Sequence, residues 1–350
     1  MVKHAVFAVP GSLDTPTGGY VYDRRIIAEL RELGWDVDVL NIGEGFPWPN
    51  DATRSAARSA LLDVPEGRPI VLDGLALGVL PEVATELARR NPLLALVHHP
   101  LALEWGLSSG QADSLRLSEQ AALAAAREVV VTSPATAKLV AADYAVPIGR
   151  ITVARPGSDP APRSRGSESE ISHLLSVGSI VPRKGFDVLV AALATLADLP
   201  WRLTIAGDLT RDPNEAAKLR ASISQHRLID RIEVPGAVSP ERLAALYNEA
   251  DLFVLASRFE GYGMAYTEAL SHGLPVIGTT AGAIPDTVPH GAGLLVTAGD
   301  VDALAAALRD VITNADLRRR LSDAAAEAAR TLPTWRQSGA TFAATLEKLA

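Results

Sequence analysis

The chain has 350 residues, more than twice the ~150 of a common domain, so about two domains are expected. Hydrophobic residues at 48% and charged residues at 21% give a globular balance with ample core, and a net charge of −8 argues against general nucleic-acid binding, which needs a basic face. Cysteine is absent, which excludes disulfides, thiol nucleophiles and thiolate metal sites.

The start, MVKHAVFAVPGS, carries one lysine and an apolar run shorter than the ~7–15 residues of a signal peptide. No apolar run approaches the ~18–20 residues of a membrane span, and the expected location is the cytoplasm. HAVFAV reads as a strand, YVYDRRIIAELRELG as a helix closed by Gly34, and WDVDVLNI as the next strand. PIVLDGL, LLALVHH, EVVVTSP and RITVARP continue the series, with helical segments between most of them. Pro156 to Glu170, PGSDPAPRSRGSESE, breaks the rhythm and reads as a linker with nothing to pack. The pattern restarts with SHLLSVGSI, the helix FDVLVAALATLA, and the strands WRLTIAGD, RIEVPGA, DLFVLASR and LPVIGTT. The tail TWRQSGATFAATLEKLA is an amphipathic helix with Trp335, Phe342, Leu346 and Leu349 on one stripe.

Alternating strands and helices predict an α/β fold of two doubly wound, Rossmann-like domains. Ligands of such sheets sit beyond the carboxyl ends of strands, with phosphates at helix N-termini, so the default site is the cleft between two halves.

In SRFEGYGMAYTEALSHGLPVIGTT, Gly261 and Gly263 allow close backbone approach before a helix running from near Tyr262–Met264 to His272, with Gly273 as its stop. The amides at that start are a phosphate cradle, yet Glu260 and Glu268 flank it. A carboxylate repels phosphate but accepts well from vicinal hydroxyls, so a phosphate between two hydroxylated rings, a nucleotide sugar, reconciles the two. The alternative is a solvated helix Glu beside one favoured by the helix dipole.

Within VGSIVPRKGFD, Arg183 and Lys184 are adjacent cations in a strand–helix loop, suited to neutralising a diphosphate leaving group or else a plain surface pair. In PGSLDTPTGGYVYDRR, Gly18 and Gly19 open a helix after the first strand, a phosphate geometry or simply a turn. His98 and His99 end a strand in LLALVHHPLALEWG, where one could bond a sugar or handle a proton, with Glu104 as a further acceptor-side candidate; structural roles are the alternative. Asp36 and Asp38 sit within a strand and do not read as a metal-binding pair. Arg318, Arg319 and Arg320 read as a solvated helix face.

FEGYGMAYTEALSHGLPVIGT resembles the signature of retaining glycosyltransferases of family 4, which have the GT-B fold of two facing Rossmann-like domains. Glu260 and Glu268 match its E-x7-E pattern, and the resemblance implies that the first contacts the transferred sugar and the second the nucleotide ribose. It further implies that backbone from Gly261 through Tyr262, Gly263, Met264 and Ala265 meets the diphosphate and sugar, with Gly18 and Gly19 near the donor phosphate. Lys184 matches the family lysine, but Ser179 stands where the family has arginine, a departure that leaves open whether Arg183 compensates. Gly207 and Asp208 in IAGDLTRD match a strand end beside the base and phosphates.

The resemblance implies a first, acceptor-binding domain over 1–160, a nucleotide-sugar-binding domain over 170–333, and a final helix, 334–350, crossing back. It implies transfer from a nucleotide-diphosphate sugar to a hydroxyl acceptor (saccharide, lipid or small molecule), with retention and without metal or other cofactor. The rival readings are a catalytically impaired relative, kept open by Ser179, a glycosidase, and a nicotinamide oxidoreductase. The last lacks a G-x-G-x-x-G after its first strand.

Overall fold

A computed structural model describes residues 3–349. The chain divides into two compact units, residues 1–157 with 333–350, and residues 158–332.

The first unit runs β1 (Lys3–Val9), α1 (Gly18–Glu32), β2 (Trp35–Asn41), α2 (Asp51–Leu62), β3 (Ile70–Asp73) and α3 (Gly74–Leu77). It continues through α4 (Pro81–Leu87), β4 (Leu93–Val97), α5 (Ser109–Ala125), β5 (Glu128–Val131), α6 (Pro134–Asp143) and β6 (Ile151–Val153). The six strands form one parallel sheet in the order β2-β1-β3-β4-β5-β6. Strands β3 and β4 are buried at every residue, which is why they read as unbroken apolar runs, while edge strand β2 alternates.

The second unit runs β7 (Ser172–Val177), α7 (Phe186–Ala194), β8 (Trp201–Ala206), α8 (Pro213–Gln225), β9 (Ile232–Gly236), α9 (Pro240–Glu249) and β10 (Leu252–Val254). Then come α10 (Met264–Ser271), β11 (Val276–Thr279), α11 (Ile284–Thr287), β12 (Gly293–Val296), α12 (Val301–Thr313) and α13 (Ala315–Ala329). Its parallel sheet has the order β12-β11-β10-β7-β8-β9, so the winding reverses between β7 and β10. Ligands of doubly wound sheets collect beyond the strand ends at such a reversal. The sequence reading omitted β12, whose four residues are only partly buried and lack a sustained alternation.

The stretch read as a free linker is anchored. Ser164 Oγ donates to Asn248 O and Ala250 O at 2.9 and 2.7 Å, and the Arg165 amide donates to Asn248 O at 3.0 Å. The Asp251 carboxylate accepts from the Ser167 and His173 amides at 3.2 and 2.7 Å. Composition marked this segment as irregular, but its polar groups satisfy one another and the end of α9.

The tail forms α14 (Trp335–Glu347), counted with the first unit. A Thr334–Gln337 capping box starts it. Its buried face meets β1 and α1: Phe342 stacks on Phe7 with ring centroids 6.1 Å apart, and Trp335 packs on Tyr22 at 6.0 Å.

Candidate active site

In the second unit, the turn after β7 and the loop after β10 meet at the sheet's reversal. Gly185 ends the Pro182–Lys184 turn at φ +67°, a conformation that favours glycine, and a Cβ there would lie 2.1 Å from Ala256 O. The turn is therefore pressed directly against the end of β10. Arg258 fastens the two: its amide donates to Arg183 O at 2.7 Å, and its guanidinium forks onto Asp187 at 2.9 and 2.6 Å.

This fastening brings Arg183 and Lys184 to Glu260. Lys184 Nζ donates to Glu260 Oε1 at 2.7 Å, and Ser257 Oγ donates to the same oxygen at 2.7 Å. Arg183 Nη1 donates to Phe259 O at 2.8 Å and lies 3.3 Å from Glu260 Oε2. Side-chain exposures of 15, 14 and 7% for Arg183, Lys184 and Glu260 remove the surface-pair reading. Burial by itself would push the Glu260 carboxyl up, but the Lys184 and Arg183 charges, with hydrogen bonds from Lys184 and Ser257, pull it down to about 2. Glu260 is thus a carboxylate at any working pH, able to accept hydrogen bonds and unable to donate a proton.

That depressed acidity makes a stability prediction. The ion pair contributes fully above the ordinary carboxyl pKa of 4.5 and is lost as pH falls toward about 2. Its linked contribution is on the order of 3 kcal/mol. Urea unfolding of Glu260→Gln against wild type should show a variant less stable at pH 7 and a gap that narrows between pH 4.5 and 2. A gap that does not change over that range would contradict the assignment.

The loop carrying Glu260 is braced from behind by residues 279–287. Thr279 Oγ1 donates to Ser257 O at 2.6 Å, the Ala283 amide to Glu260 O at 2.9 Å, and Thr287 Oγ1 to Tyr262 O at 2.6 Å. Gly261 and Tyr262 are buried in this loop, and Gly263 caps α10 at φ +93°. Helix α10 starts at Met264 and Ala265, and the first amides of any helix have no acceptor within it. One turn later Glu268, partly buried, accepts from Tyr247 Oη at 2.8 Å. Burial raises the Glu268 pKa, and Asp159 adds to this; the Tyr247 hydrogen bond and the Lys184 charge act the other way.

Beside this group, the Gly207 amide donates to Gly236 O at 3.0 Å. Asp208 Oδ1 accepts from the amide and hydroxyl of Thr210, both at 2.7 Å, while Asp208 O accepts from Ile180 N at 2.9 Å. The β8 loop so rests on the turn holding Ser179, which is partly buried.

In the first unit, Gly18 and Gly19 open α1 after the cap Thr17, and Gly19 lies beside the His98 ring. The two histidines diverge. His98 Nε2 points inward, 3.1 Å from Asp23 Oδ1 and 3.4 Å from Asp73 Oδ2. His99 Nε2 lies 3.2 Å from Glu104 Oε2. Asp36 pairs with His4 at 2.9 Å and Asp38 with Arg68 at 2.7 Å, so the two carboxylates serve separate surface pairs.

Residues 160–328 match the family model described as Glycosyl transferases group 1, a span covering nearly all of the second unit. The second unit thus belongs to the group 1 glycosyltransferases. Among curated relatives, D-inositol 3-phosphate glycosyltransferase of Pseudarthrobacter chlorophenolicus is 35% identical over 215 residues, 56% of this chain and 50% of that protein. MMP α-(1→4)-mannosyltransferase of Mycolicibacterium hassiacum is 29% identical over 327 residues, 87% of this chain and 76% of that protein. The chain thus spans about half the length of the first of these relatives. Sucrose-phosphate synthase from Thermosynechococcus elongatus superposes with a TM-score of 0.85 at 21% identity, over 99% of both chains. That likeness shows the fold, GT-B, in agreement with the two parallel six-stranded sheets.

Within this second unit, the structure brings Lys184, Arg183 and Glu260 into direct contact, with α10 and Glu268 following in the same segment. Sequence reasoning missed Arg258, Ser257 and Tyr247 around that group, and Asp23 and Asp73 around His98. Asp73 had a readable signal, a lone acid ending the apolar run IVLD.

Proposed function

We propose that this chain transfers a sugar from a nucleotide-diphosphate sugar to an acceptor hydroxyl, with retention at the anomeric carbon and without a metal ion. The observation that carries the reading is the group of buried Glu260 with partly buried Lys184 and Arg183 at the reversal between β7 and β10, adjoining the start of α10. Two cations against one carboxylate leave a net positive charge, suited to a diphosphate whose charge grows as the sugar departs. Glu260, acceptor-only, takes hydrogen bonds from the sugar hydroxyls; Glu268 accepts from the ribose hydroxyls; the α10 amides meet phosphate oxygens. Gly207 and Asp208 lie by the base and phosphates, with Ser179 on the adjoining turn. In the first unit, Gly18 and Gly19 approach phosphate, and His98 or His99 bonds the sugar or acceptor. A departing phosphate oxygen takes the acceptor's proton on the face the sugar leaves from, which preserves configuration.

The direct test is purified chain incubated with UDP, GDP, ADP and TDP sugars, read by thermal shift, then by NMR of the product anomer with and without EDTA. One nucleotide series should raise Tm, product and donor should share anomeric configuration, and EDTA should leave the rate unchanged. Stabilisation by NAD instead, or release of free sugar from an oligosaccharide without nucleotide, would overturn the reading.

A further inference from the structure

Three acid–base groups lie together at the strand ends of the first sheet. His98 follows β4, Asp73 ends β3, and Asp23 rises from α1; their nearest ligand-type atoms all lie within 4.8 Å of one another. Asp23 is fully buried and Asp73 nearly so, while the His98 side chain keeps 20% exposure. Asp73 is locked from its other side, since Oδ1 accepts the Leu75 amide at 2.7 Å as the cap of α3. Asp23 Oδ2 is buried and, among the described residues, has no hydrogen-bond partner. A buried carboxylate with one idle oxygen is costly unless a positive charge stands beside it. Among the described residues, the cationic candidate in contact is the His98 ring.

We propose that Asp23 and Asp73 are positioning residues that hold His98 as a doubly protonated imidazolium, Nε2–H turned to both carboxylates and Nδ1–H left as the donor for a ligand. The groups facing the ring support this assignment. Asp23 and Tyr22 face it from α1, Tyr22 edge-on at 5.4 Å, and Asp73 from the end of β3. From the loop after β5, Thr132 Oγ1 donates to the His98 carbonyl at 3.1 Å, which fixes the backbone but not the ring charge. Burial opposes the charged ring, yet the Asp23 charge and the hydrogen bonds to Asp23 and Asp73 outweigh it and leave the pKa at about 10. Burial meanwhile drives Asp23 upward, against the lowering by the His98 charge and hydrogen bond, and the neighbouring Asp73 raises it further.

The consequence is a definite chemical role. With both ring nitrogens protonated, His98 is a charged donor and has no lone pair with which to act as a general base. What it donates to, a sugar hydroxyl or a phosphate oxygen, rests on the proposed function; its charge state does not.

The experiment is an NMR titration of the full chain labelled with [13Cε1]histidine, with His98 assigned among the seven histidines by the loss of its signal in His98→Gln. In the wild type the His98 signal should remain that of the protonated ring past pH 9. Asp23→Asn and Asp73→Asn should each lower its midpoint by about 1–3 pH units. The double variant should drop it below the ordinary ~6.5, because burial then acts unopposed. The other six histidines and Tm report whether each variant is folded. A wild-type midpoint near 6.5, a midpoint that the Asn variants leave unmoved, or one equivalent of divalent metal lost with Asp23→Asn would each overturn the proposal. A chain that binds no nucleotide sugar yet titrates high at His98 would remove the enzymatic reading and leave the imidazolium standing.

Discussion

Lys184→Ala should lower kcat about 10²–10³-fold while donor KM changes far less, the size of effect seen when one transition-state donor is removed. Lys184 Nζ sits 2.7 Å from Glu260 and is the shorter of the two cationic contacts. In the proposed reaction its charge counts most as the diphosphate leaves and the leaving group's charge rises, which puts the expected loss in kcat. The same substitution removes a buried partner of Glu260, so stability should also fall, by about 3 kcal/mol at the low end of broken buried pairs. It stays at that end because Arg183 and Ser257 still donate to the carboxylate. Stopped-rate kinetics and urea melts on Lys184→Ala, Glu260→Ala and the double variant separate the two roles. If Lys184 only neutralised Glu260, the double variant would turn over no more slowly than Glu260→Ala; a further loss of turnover, with stability partly recovered, is the expected result. Wild-type kcat in Lys184→Ala would place the chemistry elsewhere.

Glu268→Ala should instead raise donor KM by roughly 10²-fold and leave kcat within a few-fold, since hydrogen bonds to a charged acceptor contribute about 1.5–3 kcal/mol. The carboxylate is one side of a prearranged pair: Tyr247 Oη holds Oε2 at 2.8 Å, and Tyr247 is itself stacked on His272 with centroids 5.1 Å apart. Uniform binding lost from ground and transition states appears in KM. A 2′-deoxy donor supplies the decisive comparison. It should bind the wild type poorly and the variant no worse than the full donor does, because the hydroxyl's partner is already gone. A KM for the normal donor that Glu268→Ala leaves untouched would detach this residue from the nucleotide.

Much of this architecture was legible because the central strands are buried on both faces and so appear as runs such as IVLD and LLALV. The same logic fails for β12, half-covered at an edge, where GLLV is too short to show a period. The helix before Gly273 was read nearly to the residue, since Gly263 and Gly273 both adopt the left-handed conformation that punctuates a helix. The partners of the site were harder to find. Arg258 reaches back 71 positions and Tyr247 forward 21, and no local spacing encodes such a reach. Asp23 stands between Tyr22 and Arg24 on a helix, where an acid next to a base looks like solvent-facing polarity. Only the fold reveals that α1 turns this carboxylate inward, toward a histidine 75 positions away.

The chain's path has a practical consequence. Because α14 belongs with residues 1–157, the second unit is in effect a cassette spliced into the first. Residues 158–332 form one contiguous piece for exchange between homologues, whereas the host unit must always be grafted as two. A fragment stopped at residue 332 would strip Phe342 from Phe7 and Trp335 from Tyr22, leaving an apolar wound on the half that was nominally kept whole.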